Sequence, residues 1–230
     1  MVSRSSSFLP FVTASTLSSE ILPSQSTAVL TDAELGELRT LLPSLCDAGR
    51  PLDAVRLLDA ALLAAPPLSS LPIPELTDRL SSLPDMSFSI RLLDALRNHP
   101  RRPSPLPFCA ILLSSYFRRR RLREAAKVFA WLCQGDSPCR PDMEIYGAAI
   151  QGFCERGRPF EAMRVAREMA TDGMIPPEEL RVLLCQGLLR EARVEEALDL
   201  DSAIRRAVDG DDGIHGLTQL LDRMIRDWQE

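Results

Sequence analysis

The 230-residue chain has 45 % hydrophobic, 26 % charged and 5 % aromatic residues and a net charge of −5. Leu, Arg and Ala predominate and β-branched and aromatic residues are few, a balance that favours helix over strand. No run of 18 or more apolar residues is present, so no membrane-spanning helix is expected. The net negative charge weighs against a nucleic-acid binder only on average, because a binding stripe is a matter of local charge.

Residues 1–19 contain no acid, one arginine (Arg4), seven serines and two threonines. A Ser-rich, acid-poor leader of this kind resembles an organellar transit peptide, more plastid-like than mitochondrial with its single arginine. A leader that is simply disordered has the same composition. Thr31-Asp32 then opens the first clear helical pattern.

Four segments downstream share one form. They are Ala48-Gly49-Arg50-Pro51-Leu52-Asp53-Ala54, Arg119–Ala125, Arg156-Gly157-Arg158-Pro159-Phe160-Glu161-Ala162 and Glu191–Ala197. Their closing alanines fall at 54, 125, 162 and 197, intervals of 71, 37 and 35 residues. A repeat of about 35 residues is therefore intact, with one degenerate unit inside the longer interval.

Each segment reads as a turn between two helices. Ile145, Ala149, Ile150 and Phe153 precede one such turn and Ala162, Val165, Ala166 and Met169 follow it, each set on one helical face. Gly49 and Gly157 stand where a helix stops in a left-handed conformation. Pro51 and Pro159 follow, where a new helix tolerates a missing N–H.

A single hairpin cannot bury its apolar face alone, so the units must stack. The expected organisation is a leader over 1–30 and an all-α array over 31–212. The units run 35–69, 70–105 (degenerate), 106–142, 143–177 and 178–212. A C-terminal capping segment follows over 213–230, its helix at 216–230 with Leu217, Leu220, Leu221, Met224 and Trp228 on one face. In the degenerate unit, Leu76, Leu80 and Leu83 suggest one helix and Phe88, Leu92, Leu93 and Leu96 the next.

The unit at 143–177 carries a longer signature. It runs from Asp142-Met143-Glu144-Ile145-Tyr146 through Ile150-Gln151-Gly152-Phe153-Cys154 and Gly157–Ala162 to Glu168-Met169-Ala170-Thr171-Asp172-Gly173-Met174-Ile175-Pro176-Pro177. The Trp and Leu-Gly landmarks of tetratricopeptide repeats are missing. The segment closely resembles a pentatricopeptide repeat, and the resemblance extends through 106–142 and 178–212, then 35–69, and least to 70–105. It implies a right-handed α-solenoid (superhelix) of about five helix-turn-helix repeats with a capping helix.

In function, the resemblance implies organellar single-stranded RNA binding in the groove of first helices. Size, leader and repeat count are similar to the short plastid proteins of the thylakoid-assembly type, which assist group II intron splicing. Partners implied are intron-containing transcripts and other splicing factors, and the short array motivates a homodimer formed on RNA.

In that family a polar residue just after the repeat's aromatic position, paired with the repeat's last residue, reads a base edge. The corresponding pairs here are Arg39/Ser69, Pro74/Pro105, Ala110/Asp142, Gly147/Pro177 and Val182/Asp212. None has the usual polar residue at the first site, so no target sequence is expected from them.

What remains is charge. Residues 97–123 hold eight arginines and no acid. Arg118, Arg119, Arg120, Arg121 and Arg123 are candidate phosphate ligands, Arg118 at the family's phosphate-contacting position and Arg190 at the matching one. Tyr116 is a candidate stacking platform. A run such as Arg118–Arg121 is also what a solvated turn looks like.

No catalytic, metal or cofactor site is expected. The six cysteines (Cys46, Cys109, Cys133, Cys139, Cys154, Cys185) form no CxxC pair and the only histidines are His99 and His215, so short-spaced zinc ligands are absent and reduced, packed thiols are expected. The competing function class is a protein-interaction scaffold, favoured by the off-pattern base positions and the acidic net charge.

Overall fold

The computed structural model describes residues 30–208 and 211–228; the leader lies outside them. The elements are α1 (Asp32–Asp47), α2 (Pro51–Leu62), a single 3-10 turn (Leu68–Ser70), α3 (Ile73–Ser82), α4 (Ser87–Asn98), α5 (Leu106–Arg118) and α6 (Leu122–Leu132). There follow α7 (Met143–Glu155), α8 (Pro159–Thr171), α9 (Glu178–Arg190), α10 (Val194–Val208) and α11 (Asp211–Asp227). Among the described residues there is no strand. Ten helices form five hairpins, with α11 after the last.

The helices begin and end for local reasons. Thr31 caps α1 reciprocally with Glu34: the Glu34 backbone N–H donates to Thr31 Oγ1 at 3.3 Å and the Thr31 N–H to Glu34 Oε2 at 2.7 Å. The Thr31 N–H, and the Thr31 hydroxyl donating to the same Oε2 at 2.8 Å, hold the Glu34 carboxyl below its ordinary pKa. Pro51 and Pro159 open α2 and α8.

Four of the five intra-hairpin turns share one geometry. Gly49, Arg120, Gly157 and Ala192 all lie at positive φ, 73°, 58°, 66° and 60°. In each, the next residue's N–H closes onto a carbonyl five residues back: Arg50 to Leu45, Arg121 to Tyr116, Arg158 to Phe153 and Arg193 to Leu188, at 2.8–3.0 Å. This is the Schellman termination, and it satisfies carbonyls that a helix end otherwise leaves unpaired.

The degenerate hairpin ends differently. Leu83, after α3, is extended (φ −66°, ψ 145°) and no left-handed residue separates α3 from α4. Its turn is instead held from the next hairpin. Arg121 Nη1 donates to the carbonyls of Ser81 (3.0 Å) and Leu83, and Nη2 to that of Pro84 (3.0 Å).

First helices pack in an unbroken row, α1–α3–α5–α7–α9. Among second helices only α2 and α4 lie in comparable contact. The first-helix row is thus the closer-spaced, inner side of the curved stack. Small residues permit the approach: a Cβ on Gly152 of α7 would lie 2.4 Å from the Phe117 ring of α5. That ring meets Phe153 edge-on, 5.0 Å between centroids.

The core runs through all hairpins, with Leu42, Leu58, Leu76, Leu93, Phe108, Tyr146, Met169 and Leu200 fully buried or nearly so. Helix α11 starts at Asp211, ahead of the expected 216, and lies against α8 and α10. Leu217, Leu221 and Met224 are buried, and Trp228 meets Phe160 at 5.4 Å with the Arg193 guanidinium 4.2 Å over its ring. The capping helix therefore covers the second-helix side of the last two hairpins.

Candidate nucleic-acid interface

All intra-hairpin turns lie on one edge of the stack, because each joins the end of a first helix to the start of a second. All four Schellman turns place arginines there in register: Arg50, then Arg118–Arg121, then Arg156 and Arg158, then Arg190 and Arg193; Arg50 is held by Asp53 at 2.8 Å. What these cations can do depends on what already holds them.

Arg121 is committed to the fold. Besides the three carbonyls it donates to Glu124 at 3.1 Å, and its side chain is only 19 % exposed. Arg121 is thus a structural clamp, not the phosphate ligand that its place in the basic run suggests. Arg118 and Arg119 converge on Asp78 of α3, Arg119 Nη2 at 3.0 Å from Oδ2 and Arg118 Nη2 on Oδ1. The Ser115 hydroxyl also donates to Asp78, at 3.0 Å. Burial raises the Asp78 pKa, and the Ser115 bond with the two guanidinium groups more than reverses this, leaving the carboxyl below its ordinary range. Arg118 remains well exposed, at 66 % of its side chain.

Arg120, Arg123 and Arg190 are exposed, and none has a carboxylate within salt-bridge reach among the described residues. Arg120 is held outward by its left-handed backbone, Arg123 stands on the first turn of α6, and Arg190 ends α9. Arg156 and Arg158 are equally unpaired, and Arg156 Nε is buried without a hydrogen-bond partner. The sequence reading passed over these two; the signal was their position flanking Gly157, in register with Arg119 and Arg121.

Tyr116 is not a stacking platform. It is fully buried, its hydroxyl donates to Ser89 Oγ at 2.8 Å, and the Arg121 guanidinium lies 5.2 Å above its ring. Burial raises its pKa. It occupies the register of Phe153 and Leu188, the position each first helix points into the core. Tyr146 is likewise internal, its hydroxyl donating to Asp172 at 2.7 Å.

The base-reading register lies on the first-helix row. Arg39 is exposed and its Nε donates to the Ser70 carbonyl at 3.2 Å. Ala110 and Asp142 come together, lining a cleft of about 440 Å³ between α5 and α7 with Leu106, Ile111 and Ile145. Asp142 is also the N-cap of α7, accepting from the Ile145 N–H at 2.9 Å. Gly147 is half-buried and Val182 exposed. Asp212 lies in the first turn of α11, and its side chain falls outside the described residues.

All six cysteines are unpaired. Burial pushes the thiols of Cys133 and Cys154 up to about 12, far from thiolate reactivity.

Residues 144–174, spanning the α7–α8 hairpin, match the family model described as PPR repeat. The crystal structure of the pentatricopeptide repeat protein PPR10 from maize is similar over 87 % of this chain, at 21 % identity and a TM-score of 0.47. This chain spans 31 % of that protein's length. No curated protein gives a significant match. The matched repeat is the hairpin with a glycine at the left-handed turn position and unpaired arginines on both sides of it.

Proposed function

We propose that the chain binds single-stranded RNA and assists organellar RNA processing, group II intron splicing in chloroplasts in the first instance. The observation that carries this is the line of unpaired arginines, Arg120, Arg156, Arg158 and Arg190, along the turn edge of a stack whose α7–α8 hairpin matches the PPR repeat. The resemblance of neighbouring units extends the repeat reading over 31–212, with 70–105 as the degenerate unit. Arg118 and Arg119 join the line by exchanging Asp78 for phosphate; Arg123 flanks it.

The mechanism is neutralisation of phosphates with release of counterions. Base discrimination is weak, because alanine, glycine, valine and proline at 110, 147, 182 and 74 offer no side-chain donor or acceptor to a base edge. Other splicing factors, or a homodimer formed on RNA, supply the missing specificity by avidity. The Ser-rich, acid-poor leader supports a plastid location, with the mitochondrion as the alternative.

The test is fluorescence anisotropy with a mixed-sequence single-stranded RNA at several salt concentrations. Four phosphate contacts give a log–log salt slope of roughly −3, about 0.7 per phosphate on a single strand. The Arg120/Arg156/Arg158/Arg190→Ala variant should lose most of that slope and of the affinity. Binding that is absent in the parent chain, or unchanged in the variant, overturns the reading. The second reading, a protein-interaction scaffold, is favoured by the same apolar base positions; it predicts no RNA but a defined protein recovered from organelle extract.

A further inference from the structure

The last hairpin leaves in solvent apolar positions that earlier hairpins bury. Phe117 of α5 and Cys154 of α7 lie against the next first helix, at Gly152 and Gly187, and both are buried. Leu189 holds the same place on α9, where no first helix follows. Pro51 and Val55 of α2, and Pro159 and Met163 of α8, are the first and fifth residues of their helices and are buried. Their counterparts on α10 are Val194 and Leu198. With Val182 of α9 these residues form one patch, 38 % to 64 % exposed residue by residue. Helix α11 turns back onto α8 and α10 and does not cover it.

The charges around the patch run in one sense along each helix. Helix α9 starts with Glu178 and Glu179 and ends with Arg190; α10 starts with Glu195 and Glu196 and ends with Arg205 and Arg206. Arg181 holds Glu178, Arg193 holds Glu196 and Asp201 holds Arg205, all within the hairpin. Glu179 and Arg190 are exposed, and neither has a salt-bridge partner among the described residues. Glu191, Glu195 and Arg206 are exposed as well. Glu179 and Arg190 are spaced to fall within about 20° of each other, on one flank of the Val182–Leu189 stripe, and Glu195 and Arg206 repeat that spacing beside Leu198. Cys185, midway between Val182 and Leu189, donates its Sγ–H to the Ala197 carbonyl at 3.6 Å, so Leu198 is level with that midpoint.

From this the geometry points to a second copy of the chain as the occupant: two α9–α10 hairpins pack face to face about a two-fold axis, each helix antiparallel to its counterpart. Leu198 then meets Leu198 of the other copy near the axis, and Val182 meets Leu189. An isologous contact of this kind must be self-complementary. It is so here, because antiparallel packing brings like flanks together with their ends exchanged. Glu179 faces Arg190 of the other copy, and Glu191 and Glu195 face Arg206, each contact occurring twice. Parallel stacking, as between successive hairpins, would instead set Glu179 beside an acidic helix start. Rim ion pairs add little affinity, but they fix orientation. The apolar centre supplies the association, which needs no RNA and does not rest on the RNA reading. Phosphate can take Glu179's place on Arg190, as it takes Asp78's on Arg118.

The test is sedimentation velocity of the full chain, free of RNA, over a range of concentrations. A reversible monomer–dimer equilibrium in the micromolar range is expected for a patch of this size. Leu198→Glu strikes both copies at the axis and should weaken it by about a hundredfold. Glu179→Arg should weaken it several-fold at low salt and less at high salt, and Glu179→Arg/Arg190→Glu should restore it. Leu41→Glu, at an exposed leucine near the other end of the stack, should leave it unchanged. Melting curves check that each variant remains folded. A chain that stays monomeric, a dimer indifferent to Leu198→Glu or lost with Leu41→Glu, or a charge exchange that restores nothing would overturn the proposal. A monomer that still binds RNA removes the pairing alone; a dimer that binds none upholds the pairing and removes the RNA reading.

Discussion

Replacing Arg121 and replacing Arg120 should have opposite effects, although the two are neighbours in one basic run. Arg121 holds the carbonyls of Ser81, Leu83 and Pro84 from a side chain that is mostly buried. Hydrogen bonds to a charged donor contribute about 1.5–3 kcal/mol each when partly buried, and the acceptors left behind carry a desolvation penalty of similar size. Water reaches the Pro84 end of the turn, which is exposed, so the net cost of Arg121→Ala is set at roughly 2–4 kcal/mol. For a chain of this size that lowers Tm by about 5–12 °C. Lysine should not restore it, because a single ammonium cannot span three carbonyls as the guanidinium fork does. Arg120 sits in the left-handed region at φ 58° with its side chain in solvent. Arg120→Gly therefore relieves about 1 kcal/mol of backbone strain and raises Tm by a few degrees. It also removes one phosphate contact, reducing the RNA salt slope by about 0.7. The assays are thermal melting by circular dichroism and anisotropy with labelled RNA. The reasoning fails if Arg121→Ala melts with the parent chain, or if Arg120→Gly lowers Tm while leaving RNA affinity untouched.

Three further outcomes follow from the turns and the close approach. A Cβ at Gly157 meets nothing within 4 Å, so Gly157→Ala is a pure backbone perturbation that should cost about 1 kcal/mol, while Ala192→Gly in the same register should gain a similar amount; urea melts showing the same sign for both would contradict the shared geometry. Gly152→Ala forces a Cβ to within 2.4 Å of the Phe117 ring and should cost roughly 1–3 kcal/mol, partly recovered in the Gly152→Ala/Phe117→Leu double variant; additive effects would mean the ring is not the obstacle. The folded-state pKa of Asp78 is depressed, so the stability it contributes is present above the ordinary carboxylate pKa and is lost as pH falls through the folded value; Asp78→Asn should flatten that acid limb of the stability profile, and an unchanged limb would show that its ion pairs contribute nothing.

Where the sequence was readable, the signal was local. The hairpins announce themselves because a Schellman turn imposes its requirements within a few residues: an apolar face before, a left-handed residue, a small residue opening the next helix. The turn between α3 and α4 lacks that signature, and its stabilising contact comes from Arg121, some 40 residues along the chain. No reading of spacing finds such a contact, and so Arg121 looked like its free neighbours. Tyr116 was misread for a related reason. Amphipathic periodicity assumes one buried face per helix, but α5 is packed by α3, α6 and α7 together, so Tyr116 and Phe117, about 100° apart around the helix, are both internal. The apolar stripe of α11 was equally plain, yet a stripe specifies only that something covers it. That α11 turns back onto α8 and α10 depends on Phe160, Arg167 and Arg193 being placed there by two other hairpins. Periodicity thus sets the number of hairpins, while the charge left over after packing decides which arginines can meet a ligand. Counting arginines in the run at 118–121 overstates the free charge there, and the pair at 156 and 158 shows where the same count understates it.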